Sequence, residues 1–244
     1  MSQRRDAAAD DSAEREDEQG DRWVAVSSGL VLARLDWDIM MHRVLMVLMS
    51  QLDPKRDTEF RLQRVPVRSI GTLARVRQKS IHQEVARAAA KLVRAFVGFW
   101  NPETSGFDAA PLFSMCTYKT TRGVLEAKFS DKMRAHLLQM GERGARYRLR
   151  EAMVLSTPYA IRAYEIAKLI EQSNSRPTRR LPVGQFRRML KLENKYPRHC
   201  DMRRRVIVPA VREVNEKTDL ALRCDDVREG QTPVALAWHV ASGG

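Results

Sequence analysis

The sequence predicts an α+β chain of two tandem winged-helix domains, and three observations carry that expectation. Helical periodicity followed by paired strands occurs twice, once in residues 23–144 and again in 145–244. A Gly-Glu-Arg-Gly run at 141–144 separates the halves. The chain has 244 residues, 43% of them hydrophobic, which is enough for two domains that each bury a core.

The formal net charge is +13, unevenly spread. Residues 1–22 hold eight acidic and four basic side chains and few large apolar groups, so they read as a disordered acidic tail. Residues 23–244 then carry +17. So basic a body attracts polyanions, and nucleic acid gains most because neutralised phosphates release condensed counterions. Charge alone does not separate DNA from RNA or an anionic membrane. No apolar run approaches the roughly 18 residues of a membrane span, and the N-terminus lacks a signal-peptide core. A cytoplasmic protein with no membrane association is expected. Cys116, Cys200 and Cys224 lack CxxC spacing and read as reduced thiols. His199-Cys200 has no second pair at ligand spacing, so no metal and no cofactor is expected.

In the first half, Val24-Ala25-Val26 reads as a short strand and residues 35–52 as a helix. Val44 to Met49 are apolar on every side of that helix, so it is either a central core helix or one that meets a second subunit. Residues 67–76 form a first helix of a helix-turn-helix. Ser80-Ile81-His82-Gln83 has capping-box form and opens the second. Ile81, Val85, Ala88, Ala89, Leu92 and Phe96 share one stripe at helical spacing. Gln83, Arg87, Lys91 and Arg94 lie opposite, with Arg75, Arg77 and Lys79 leading in. A strand from Phe96 breaks in the turn-rich stretch 101–106. Residues 112–118 and 124–129 flank a hairpin tip whose Lys119 and Arg122 suit backbone phosphates. Residues 130–140 close the unit as a helix.

The second half repeats the order. Residues 147–149 read as a short strand. Thr157-Pro158 marks a helix start, with Thr at the N-cap and Pro at the first turn, and the helix runs to about 171. A polar loop (173–180), a short helix (183–190), a long helix (201–218) and two strands (220–224 and 234–240) follow. On a wheel, Val206, Ile207, Ala210, Val211 and Val214 cover one side of the long helix. Arg204, Arg205, Val208, Arg212 and Asn215 cover the other. Arginine can bond guanine bidentately, asparagine adenine, and an apolar group can touch a thymine methyl. Lys191, Lys195 and Arg198 lie just upstream, where phosphates are expected. Arg203 falls in the apolar sector and either escapes at the helix start or pairs internally. Pro209 should kink the helix or shift its course.

The segment Leu155-Ser156-Thr157-Pro158-Tyr159-Ala160-Ile161-Arg162-Ala163-Tyr164-Glu165 resembles the start of the second winged helix in theta-type, iteron-binding plasmid replication initiators. Their pattern there runs Tyr-Ala-(Ile/Leu)-Arg-x-Tyr-(Glu/Asp). Arg180-Leu181-Pro182-Val183 through Phe186 and Leu190, then Tyr196, then Val206 to Asn215 with its Pro209, are similar to that family's reading motif, and Thr218-Asp219 leads into its final hairpin. The resemblance covers about 145–240 and is looser over 23–140. It implies a plasmid DNA replication initiator that binds double-stranded origin DNA at direct repeats (iterons). In such a protein the second domain, the main DNA-binding one, reads one part of the repeat, and the first makes accessory contacts to an adjoining part or mediates dimerisation. It implies monomers that initiate, dimers that repress their own promoter, and a host initiator protein and replicative helicase as partners. A plain winged-helix transcriptional repressor shares every DNA-binding feature. An enzyme that nicks DNA would want His-x-His beside a tyrosine, and His42, His82, His136, His199 and His239 are scattered. There is no phosphate loop for ATP, so no enzyme is expected. An RNA binder would want stacking aromatics that the long helix lacks.

Overall fold

The computed structural model describes residues 19–76, 78–101, 106–139, 144–173 and 178–241. Residues 1–18 of the expected tail, Arg77, residues 102–105 of the expected turn, the separator at 141–143 and part of the polar loop lie outside the described residues, as does the side chain of Lys79.

Two units share one topology. In the first, helix α2 (Ile39–Met49) precedes strand β2 (Gln63–Pro66), helices α3 (Val67–Leu73) and α4 (Gln78–Leu92), and hairpin β5 (Phe113–Lys119) with β6 (Val124–Phe129). In the second, α7 (Pro158–Glu171) precedes β8 (Thr178–Pro182), α8 (Val183–Met189), the long helix α9 (199–217), and hairpin β9 (Ala221–Glu229) with β10 (Thr232–Ala241). The sheets run β2-β6-β5 and β8-β10-β9, so each unit's first strand joins the far strand of its own hairpin. That arrangement is a winged helix, twice.

Ahead of the first unit, β1 (Trp23–Ser27) is followed by the single turn α1 (Ser28–Val31). A further hairpin, β3 (Phe96–Asn101) with β4 (Gly106–Pro111), sits between α4 and β5. The closing segment after β6 is shorter than expected: a 3-10 turn, Asp131–Met133, and α5 (Arg134–Leu137). Strand β7 (Gly144–Arg148) then leads into α6 (Leu149–Met153). Strand β7 pairs antiparallel with β1, from Trp23 against Arg148 to Ser27 against Gly144. The backbone is therefore stitched across the expected division at 144/145. Gly144 is part of the stitch: a Cβ there would lie 2.7 Å from the Val26 carbonyl oxygen.

Helix α2 is narrower than the expected 35–52. Asp38 Oδ1 accepts from the Met41 N–H at 3.0 Å and fixes its start. Val44 to Met49 are each at most 4% exposed, covered by β1, α4, α6 and α7 of the same chain. The apolar helix is core, so it offers no face to a second subunit. Helix α4 begins at Gln78, so Ser80 lies within its first turn rather than at its cap. Ile81, Val85, Ala88, Ala89 and Leu92 are buried as the stripe requires. Phe96 is not: the helix ends at Leu92, Phe96 opens β3, and its ring is 62% exposed.

Two buried arginines join the units. Arg162 of α7 donates to the carbonyls of Leu30 (3.4 Å), Ala33 (3.1 Å) and Val31, and pairs with Glu165 at 2.9 Å. Tyr147 of β7 donates to the other Glu165 oxygen at 3.0 Å. From the opposite side, Arg43 of α2 donates to the Leu155 carbonyl at 3.2 Å. Each guanidinium finds acceptors across the join, which offsets the cost of burying its charge.

Candidate nucleic-acid interface

Helix α9 starts as a regular turn (His199–Met202), widens to a π turn at Arg203–Ile207, and continues as Val208–Lys217. The widening directly precedes Pro209, whose ring would collide with the carbonyl four residues back in a regular helix. Pro209 thus shifts the course of the helix without breaking it. Val206, Ile207, Ala210 and Val214 are buried, whereas Arg204, Arg205, Val208 and Arg212 are exposed. Of the expected apolar side only Val211 is half-buried rather than buried.

Each arginine on the exposed face is lightly held. Asp201 accepts from Arg198 at 2.8 Å and from Arg204 at 3.0 Å, which keeps its carboxyl below the usual carboxylate range. Arg212 pairs with Glu216 at 2.6 Å, and the Arg205 guanidinium lies 6.0 Å over the Tyr196 ring. Solvent screens exposed pairs of this kind, so they add little to stability and leave the guanidinium groups accessible. Arg203 is the exception. It turns inward to Asp226 at 3.0 Å and the Cys224 carbonyl at 2.9 Å, so of its two alternatives it takes internal pairing.

Three of the expected contact residues have partners within the chain. Asn215 is spent on the fold: its Oδ1 accepts from the Leu222 N–H at 2.8 Å, and its Nδ2 donates to the Leu222 carbonyl at 2.9 Å. Lys191 is bound to Asp36, in the stretch before α2. Lys119 pairs at 2.8 Å with Glu126, which also holds Arg64 at 3.0 Å, while Arg122 is exposed at the tip of the first wing. Lys195 and Arg198 remain exposed beside the start of α9.

In the first unit, Arg75 is exposed in the turn before α4, in a left-handed conformation (φ +51°). Gln83 and Arg87 are exposed along α4 and Arg94 just beyond its end; Lys91, also exposed, is paired at 2.6 Å with Asp38. His82 Nδ1 lies 2.8 Å from the Tyr118 hydroxyl and joins α4 to the wing strand β5. Sequence reading also missed Arg187. Its guanidinium donates to the carbonyls of Leu192, Lys195, Tyr196 and Pro197 at 2.7–3.3 Å and shapes the turn into α9. Nothing in the sequence marks it, because a structural arginine on a short helix reads like any basic surface residue.

The family model described as "Initiator Replication protein, WH1" matches residues 23–168, and that described as "Initiator Rep protein, WH2" matches 182–240. The chain belongs to this initiator family. The first match runs past residue 144, as does the β1–β7 pairing. A "Replication initiation protein" of Escherichia coli is 22% identical over 217 residues, covering 86% of this chain and 67% of that protein. An "Uncharacterized 27.6 kDa protein" of Escherichia coli is 24% identical over 193 residues, covering 77% and 78%. The solved structure of the Pi initiator protein in complex with iteron DNA matches with a TM-score of 0.77 at 16% identity, over 92% of this chain and 99% of that one. The initiator described here therefore shares that fold. Among the described residues, no helix is long and apolar enough to cross a membrane, and no group of three or more His, Cys, Asp or Glu is placed to hold a metal.

Proposed function

We propose that this chain initiates plasmid replication by binding double-stranded origin DNA at direct repeats with both of its units. The observation that carries the reading is α9: Arg204, Arg205, Val208 and Arg212 share one exposed face over a fully buried apolar one. An arginine-rich face whose ion pairs are all solvent-exposed suits guanine edges, and Val208, 49% exposed, suits a thymine methyl. On this reading the exposed Lys195 and Arg198 beside α9, and Arg75, Gln83, Arg87 and Arg122 of the first unit, meet phosphates. Residues 145–244 supply the main reading surface and residues 23–144 accessory contacts and self-association. The fold match to an initiator bound to iteron DNA supports this assignment. On this reading the protein works in the cytoplasm without cofactor or catalytic chemistry of its own, and its dimer represses its own promoter. Strand opening falls to a host initiator protein and a replicative helicase that it recruits. The test is footprinting on direct repeats beside the gene, together with maintenance of a plasmid carrying gene and repeats. Protection of the repeats and stable maintenance are expected. Protection without maintenance would leave a repressor, and no protection of any repeat would overturn the proposal.

A further inference from the structure

The two reading helices, α4 and α9, sit on different units, yet one short segment touches the frame of both. Residues 155–157 form the entry to α7. On one side, Arg43 of α2 donates to the Leu155 carbonyl at 3.2 Å, and this arginine is only 7% exposed. On the other, Glu213 of α9 accepts from the Ser156 N–H and hydroxyl, both at 2.6 Å, and from the Thr157 hydroxyl at 3.1 Å. Lys217, one turn further along α9, donates to Glu213 at 2.7 Å and to the Val154 carbonyl at 3.3 Å. Helix α2 is in turn fixed to α4: the helices pack together, and Lys91 in the last turn of α4 bonds at 2.6 Å to Asp38, the N-cap of α2. A continuous path of packed or bonded groups thus runs from one reading helix to the other.

We infer that Arg43 and Glu213, gripping residues 155–157 from opposite sides, are positioning residues that set the register between the two reading helices and so the spacing of the base pairs they read. The physical need is plain. One base pair advances a duplex by about 3.4 Å and turns it by roughly 35°, so two helices held rigidly fit a single spacing. Helices on a slack join accept several spacings but lose the gain from presenting both surfaces at once. Glu213 faces the join rather than the DNA, and Arg43 is buried, so neither needs to touch a base to affect which sequences bind.

The inference rests on the proposed DNA-binding reading, and the experiment separates the two. Full-length protein is first footprinted on the unmodified repeat; failure there would remove the functional reading itself. Binding is then measured on duplexes with one or two base pairs inserted between the portions protected by the two units. The parent protein should lose about 100-fold on a single insertion. Arg43→Met and Glu213→Ala should bind the unmodified repeat about ten-fold more weakly and lose less than ten-fold further on insertion. Thermal unfolding establishes that each variant is folded. If Arg43→Met is not, Glu213→Ala, at a partly exposed position, carries the test. Folded variants that keep the parent's spacing profile, or that weaken equally at every spacing, would overturn the inference. A parent protein indifferent to spacing would do so as well.

Discussion

At the scale of single residues, Asn215 and Arg204 share one face of the sequence wheel and are held differently. Asn215 closes both of its bonds on Leu222 at the start of β9. Asn215→Ala should therefore lower stability by about 1–2 kcal/mol in a denaturant titration while leaving base preference intact. Arg204→Ala, and likewise Arg205→Ala or Arg212→Ala, should leave the melting temperature unchanged and weaken specific binding by about 1–3 kcal/mol at particular base pairs. A binding-site selection on each variant distinguishes the two behaviours. His42 is the residue for which acidity matters most. It is buried against Trp37, its Nδ1 lies 3.0 Å from the Asp38 carbonyl, and burial pushes its pKa down to about 4, with Arg162 adding to the effect. The unfolded chain takes up this proton near pH 6.5 and the folded chain only near 4. Stability is therefore complete above about pH 6.5 and drains away as pH falls toward 4, by about 2 kcal/mol between pH 7.5 and 5. His42→Phe should flatten that limb of the stability–pH curve; an unchanged slope would show that other groups set it.

At the scale of elements, α9 is where the sequence could be read furthest. Its arginine face and its apolar face are both legible in a 100° wheel, because burial of Val206, Ile207, Ala210 and Val214 dominates the local energy. The widened turn was legible only as a disturbance at Pro209, since the sequence does not say whether a proline kinks, breaks or widens a helix. Pro209→Ala should let Arg203–Ile207 relax toward a regular helix. Because that turns Arg204 and Arg205 relative to Arg212, base discrimination should fall even as the melting temperature holds or rises. Selection and calorimetry on the one variant check both halves. Strand β4 was missed because Gly106-Phe107-Asp108-Ala109-Ala110-Pro111 has no β-branched residue; pairing with β3 makes it a strand. The partners of Lys119, Lys191 and Asn215 were illegible for a related reason. Glu126, Asp36 and Leu222 come from other elements, and a sequence pattern shows a charge or an amide without showing what neutralises it.

At the scale of the whole molecule, the two reading surfaces should act on one duplex, and salt reports how many phosphates they meet together. Each contact contributes about −0.9 to the slope of log affinity against log salt. Roughly six or more contacts give a slope of about −5 or steeper for the full chain on its repeat, and Arg87→Ala or Arg122→Ala should each flatten it by about 1. A slope near −1 would contradict docking by both units. The fold has a different consequence in time. The carbonyl of Leu30 waits for Arg162, 132 residues further along the chain, and β1 likewise waits for β7. At about 5–20 residues per second, synthesis takes on the order of ten seconds to deliver that arginine. Throughout that interval a nascent chain carries an open strand edge and unpaired carbonyls at its oldest end. Newly made initiator therefore closes its first unit only after the start of the second, through Arg162, has left the ribosome, and a chain truncated before Arg162 should be exposed to proteolysis rather than left as a half-functional competitor for the origin.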